Sequence, residues 1–222
     1  MTYAGYLTKL RVSGIPTAMT FQPMTVVAAS STASQYTYQI SSTLREVWSR
    51  SGTFSFRQAS STGSTISSTA IDDINYVFGK VTFSSTQGAT VVVSGTYLPM
   101  AVAAGAHSYT LTQAVDVLDD TDFTSTGFRS KNLGLADVSL TLNSWEPLNN
   151  QFSEFLVASS TSTRHLQPLV AEVNPGGSTL YARGWFVVEN DSKSGDVAGL
   201  EEKTISLQLD GNEYEAFRWS DQ

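Results

Sequence analysis

Cysteine is absent from the 222 residues, which excludes disulfides, thiolate metal sites and a cysteine nucleophile. Histidine occurs only twice, as His107 and His165. No GxSxG elbow, HExxH or phosphate-loop spacing accompanies them, so hydrolase, zinc-peptidase and nucleotide-binding readings have no anchor. Charged residues make up only 15% of the chain, leaving little for a nucleic-acid groove. No apolar run approaches the roughly 18–20 residues of a membrane helix. The opening MTYAGYLTKL lacks the charged-then-apolar form of a secretion signal, so the expectation is a soluble protein made in the cytosol, with no membrane partner.

Serine, threonine, glycine and apolar residues are what the chain does contain, and short period-2 runs organise them. YLTKLRVS (residues 6–13) alternates apolar with basic positions and stops at Gly14 and Pro16. Residues 24–29, YTYQI (36–40), 53–57 and VVVSGTYLP read as further strands. INYVFGKVTF (74–83) reads as a hairpin in which Gly79 supplies a positive φ. The small-residue-rich stretch from Met100 to Ala106 marks a junction, which divides the chain into a β-rich module over 1–104 and a second domain over 105–222; strand 6–13 can pair with its own half or with the second domain.

In the second domain, strands are expected at 107–117, 137–145, 167–173, 180–189, 203–209 and 212–219. The NPGG, NDSKSGDVAG and DG stretches read as turns between them. One segment changes period. Leu148, Phe152, Phe155 and Leu156 recur at helical spacing behind Asn149 or Asn150, which predicts a short helix packed through Phe152, Phe155 and Leu156. Trp48, Trp145, Trp185 and Trp219 fall in or at the ends of strands, where core packing is the expectation rather than a sugar-binding face.

The charge is lopsided. Residues 1–111 hold six basic and three acidic side chains, whereas residues 112–222 hold seven basic and seventeen acidic. Asp116, Asp119, Asp120 and Asp122 crowd one stretch, DVLDDTDFTSTG, where a metal site, an acid/base pair and an assembly surface all compete. The spacing does not fit an EF-hand. A solvated polar loop leaving a strand is the plainest account, and no catalytic or metal-binding residue is assigned.

The run VDVLDDTDFTSTGFRSKNLGLADVSLTLNSWEPLNNQFSEFL resembles major tail tube proteins of long-tailed (siphovirus-like) bacteriophages. The resemblance rests on a strand leading into acidic-then-Thr residues, a long loop, Gly134-Leu135 with Asp137 and Ser139, a second strand and a short helix with aromatic anchors. RGWFVVENDSKSGDVAGLEEKTISLQLDG is similar to the closing strands of that family. YTYQISSTLREVW, DDINYVFGKVTF and VSGTYLP resemble a β module that some phage structural proteins carry ahead of the core.

The resemblance implies a mainly β, tail-tube fold: two packed sheets, sandwich- or barrel-like, with one short flanking α-helix, plus the N-terminal β-rich module. It implies hexameric rings that stack into the virion's tail tube, and partners in the tape measure, terminator and distal tail proteins. DNA would pass through the lumen without specific binding, and neither enzyme activity nor a cofactor is expected. The loop over residues 118–136 would reach the next ring. Asp119, Asp120, Asp122, Phe123, Phe128, Arg129 and Lys131 are its candidate contacts, with Phe123 and Phe128 as apolar anchors. A tail terminator, neck or head decoration protein, or a glycan-binding β-sandwich, are the competing expectations.

Overall fold

The computed structural model describes residues 9–29, 36–58, 60–87, 90–103, 106–119, 131–145, 168–174, 180–194, 202–210 and 217–219. The described chain is mainly β, in two antiparallel sheets. Its strands are β1 (Lys9–Ser13), β2 (Thr17–Ala29), β3 (Tyr36–Ile40), β4 (Ser55–Gln58), β5 (Ile71–Asn75), β6 (Lys80–Phe83) and β7 (Val91–Tyr97). They continue as β8 (Met100–Val102), β9 (Ala106–Asp119), β10 (Lys131–Trp145), β11 (Leu169–Asn174), β12 (Ala182–Ser194), β13 (Glu202–Leu209) and β14 (Phe217–Trp219).

The smaller sheet has the order β4-β7-β2-β3-β6-β5. In a flat sheet β4 and β6, four places apart, would stand about 19 Å from each other. Yet the rings of Phe56 on β4 and Phe83 on β6 meet edge to face at 5.7 Å. The sheet is therefore rolled on itself around an aromatic core. Trp48, Tyr38, Phe56 and Phe83 are fully buried there, and Phe54 stacks on Trp48 at 4.9 Å. Gly95 makes room for that stack, because a Cβ at this position would lie 2.3 Å from the Phe54 ring. The β5–β6 hairpin closes through Gly79, whose φ is +58°, with Glu46 O only 2.7 Å from where a Cβ would sit. The sequence expectation for this glycine holds.

The larger sheet has the order β8-β1-β11-β12-β13-β10-β9, with β14 also on β12. Leu10, Val12, Leu140, Leu142, Leu169, Ala171, Val173, Phe186, Ile205 and Leu207 supply the apolar core of one face. Its central strands β11 and β12 are buried on both faces. On the second face Val170 and Trp185 pack against Val47, Val77, Phe78 and Leu98 of the rolled sheet. Hence LVAEV and ARGWF show little polar alternation, as strands covered on both sides do.

The sheets divide the chain at 13/17 and 97/100. β1 pairs with β11 and with β8, so the rolled lobe (residues 17–97) interrupts the larger sheet. The small-residue stretch expected as a junction contributes β8, because the backbone of Met100–Val102 ladders onto β1. β12 runs through Asn190–Ser194, where sequence expected a turn, because β13 holds that stretch in a ladder down to Ser194↔Glu202. The expected loop over 118–136 is shorter too. Leu118 and Asp119 lie opposite Asn132 and Lys131 in an antiparallel ladder. The expected helix with Phe152, Phe155 and Leu156 falls outside the described residues, as does His165.

Candidate assembly surfaces

β9 and β10 are the longest strands, and they are paired unequally. β10 bonds to β9 from Lys131 to Ser144 but to β13 only from Ser139 onward. Before Ser139 the two strands stand clear of β13 as a two-stranded arm, Gln113–Asp119 against residues 131–138. Seven residues of strand extend this arm by about 23 Å. A two-stranded ribbon is marginal in water and gains stability from a further strand or surface.

Along its whole length β9 has β10 on one side and no strand on the other among the described residues. From His107 to Val115 its side chains are exposed on both faces except for Leu111, which is half-buried; Tyr109 and Val115 are 36% and 48% exposed. From Ser108 to Val115 the strand carries no proline, lysine or carboxylate, the residues that blunt an open edge; Asp116 and Asp119 charge only its arm end. His107 bonds to Glu202 on β13 across β10, Nε2 to Oε1 at 3.1 Å.

The sequence-predicted contact residues divide accordingly. Asp119 ends β9 and Lys131 begins β10, at directly opposed ladder positions. Asp120, Asp122, Phe123, Phe128 and Arg129 belong to the connection between them, outside the described residues. Trp48 and Trp185 are buried, at 0% and 3% exposure, so neither offers a sugar-stacking face. Trp145 ends β10 and Trp219 ends β14.

Sequence reasoning missed the seam between the lobe and the larger sheet. Arg183 on β12 is buried and donates Nε–H to Glu172 Oε2 at 2.8 Å, its cross-strand partner on β11. Its other end donates to Glu46 Oε2 at 3.0 Å and to the Val77 carbonyl at 3.1 Å, both in the lobe. Arg11, on the next strand, approaches Glu172 at 3.6 Å. Two arginines therefore meet two buried carboxylates. The Arg183 guanidinium also lies over the Tyr181 ring at 4.5 Å. Burial pushes the Tyr181 phenol above its ordinary pKa; Arg183 opposes that shift, while Glu46 and Glu172 reinforce it. A charge inside an apolar strand run, as in LVAEV and ARGWF, is the sequence signal for such a buried pair.

Beside the seam, Arg50 bonds to Asp210 at 2.8 Å and stacks on Trp185 at 4.4 Å. A cavity of about 170 Å³ opens here between the β1–β2 turn and residues 49–51. No imidazole or carboxylate is among the described residues lining it. Ser13 and Ser49, on its wall, are occupied by hydrogen bonds to the Val170 amide and to Ser51. The described geometry offers a joint and an open edge, with no nucleophile set against a base. The chain matches no protein-family model and no curated protein.

Proposed function

We propose that this chain is a structural subunit of a bacteriophage tail tube, forming hexameric rings that stack into a conduit for DNA. The observation that carries the reading is the open edge of β9 together with the arm that extends it. Its uncharged stretch from Ser108 to Val115 leaves a row of backbone groups without a strand partner among the described residues, and closure into a ring would satisfy them. In this reading the arm, which extends the same strand, engages a copy above or below. The acidic excess of residues 112–222 supports the second part of the reading, because an acidic lumen repels phosphate and lets DNA slide. In this reading the tape measure, terminator and distal tail proteins meet the tube at its ends.

Negative-stain electron microscopy of the purified protein across a concentration series, with light scattering on the same samples, tests the proposal. Tubes or stacked rings are expected. Rings that never stack would reassign the chain to a terminator or neck role. A monomer at every concentration, including in the presence of preformed tube fragments, would overturn it.

A further inference from the structure

We infer that the second half of β2 is the docking edge for the β9–β10 arm of a second copy of this chain in the adjacent ring, an inference that rests on the tube reading above. β2 pairs with β7 only as far as Met24↔Val91. From Thr25 to Ala29 it pairs with β3 alone, so its other side is an open edge among the described residues. Thr25–Ala29 reads TVVAA, with no charge and no proline. Val26 and Val27 are 46% and 50% exposed. Val27 is the extra residue of a bulge between Val26 and Ala28. Two adjacent exposed valines on an uncharged edge form the kind of site to which another strand adds.

Three features identify the occupant. The first is reach: the arm's free strand, Gln113–Asp119, is seven residues and spans the five of Thr25–Ala29. The second is apolar surface, since Val115 is 48% exposed where the arm leaves the sheet. The third is charge. The arm strand carries Asp116 and Asp119, and Asp120 and Asp122 follow in sequence. On the lobe, Arg57 shares a row with Val92 and Pro23 on the side of the open edge, and Lys80 stands two rows on, in line with Gln39 and Thr25 but across β3, on the far side of β2. Neither cation pairs with a carboxylate among the described residues. Each stands two strands from β2, about 10 Å away and roughly one Debye length at physiological salt. The acidic strand thus meets an uncharged edge with Arg57 on its open side, while the acidic Asp73 stands three strands away on the closed side, and the lobe acts as the receiver of the inter-ring contact.

The absence of native cysteine makes the test clean. Val27→Cys in one preparation is mixed with Val115→Cys, Val117→Cys or Asp119→Cys in another, and the mixture is assembled and oxidised. A disulfide-linked heterodimer that appears only in assembled material is expected for at least one pair. Val26→Lys and Val27→Pro should each raise the concentration at which tubes form by about tenfold or more while rings persist. Their thermal melts separate this effect from misfolding, and the exposed lysine variant should melt with the parent protein. Normal tubes from the lysine variant, with no cross-link at any position, would overturn the inference and leave the tube reading intact. Cross-linking of Val27→Cys to itself alone would overturn it in favour of lobe-to-lobe pairing. Failure of the parent protein to assemble would overturn both.

Discussion

At Arg183 a single guanidinium answers two buried carboxylates, one from its own sheet and one from the lobe. Removing it strands Glu46 away from water and leaves Glu172 with only the longer contact to Arg11. Arg183→Met is expected to cost about 3–5 kcal/mol of stability, read from urea unfolding. Replacing Arg183, Glu46 and Glu172 together by apolar residues should recover most of that loss. Tyr181 gives the same joint a pH signature. Its folded-state pKa is raised, so the folded protein keeps a proton that the unfolded chain releases above about pH 10. Stability should be level up to that point and fall as pH rises further, and Tyr181→Phe should flatten the fall in an alkaline melting series. Gly79 was legible in the sequence because its role is local, a turn between two short strands. The Arg183–Glu46 pair was not, because its members lie 137 residues apart. Only the lone charge within each apolar run hinted that a partner was needed.

Among the elements, the strand with most to gain from a partner is β9. Tyr109→Lys with Val115→Lys places positive charge along its open edge, where charge blocks strand addition. Self-association measured by light scattering should fall sharply. The monomer's unfolding free energy should stay within about 0.5 kcal/mol, because both side chains are substantially exposed and removed from the core. Period-2 alternation located the centres of most strands, since one covered face and one wet face leave that imprint. It failed where the neighbour decides. β8 is three small residues held by β1, and the end of β12 is a polar run held by β13. The arm was read as loop for the same reason: its far half has only one partner, and nothing in its composition marks that pairing.

Taken as a whole, the molecule carries a net charge of −7, and the excess lies in residues 112–222. Assembled protein should therefore show no retention of duplex DNA at about 0.15 M salt, measured by fluorescence anisotropy. Changing Asp119, Asp120 and Asp122 together to Lys should disturb polymerisation and create salt-sensitive DNA binding where tubes still form; unchanged assembly and unchanged DNA indifference would remove these residues from the mechanism. The mainly β class was readable from composition and turns. The division between sheets was legible only as an alternative: strand 6–13 could pair with either half, and it joins β11, which follows the lobe.

That placement has a consequence for how the chain is made. Gly14 N–H bonds to Pro99 O at 2.8 Å, so the polypeptide leaves and rejoins the larger sheet at a single neck. During synthesis the lobe emerges complete while β1's principal partner, β11, is still about 70 residues from being translated. A lobe that folds first holds β1 and β8 side by side as a ready-made two-strand template. β8 covers one side of β1 until Leu169–Asn174 arrives to pair with the other. The insertion is then a built-in chaperone for the first strand, and a refolding experiment started from full denaturation should be slower and more prone to aggregation than translation itself.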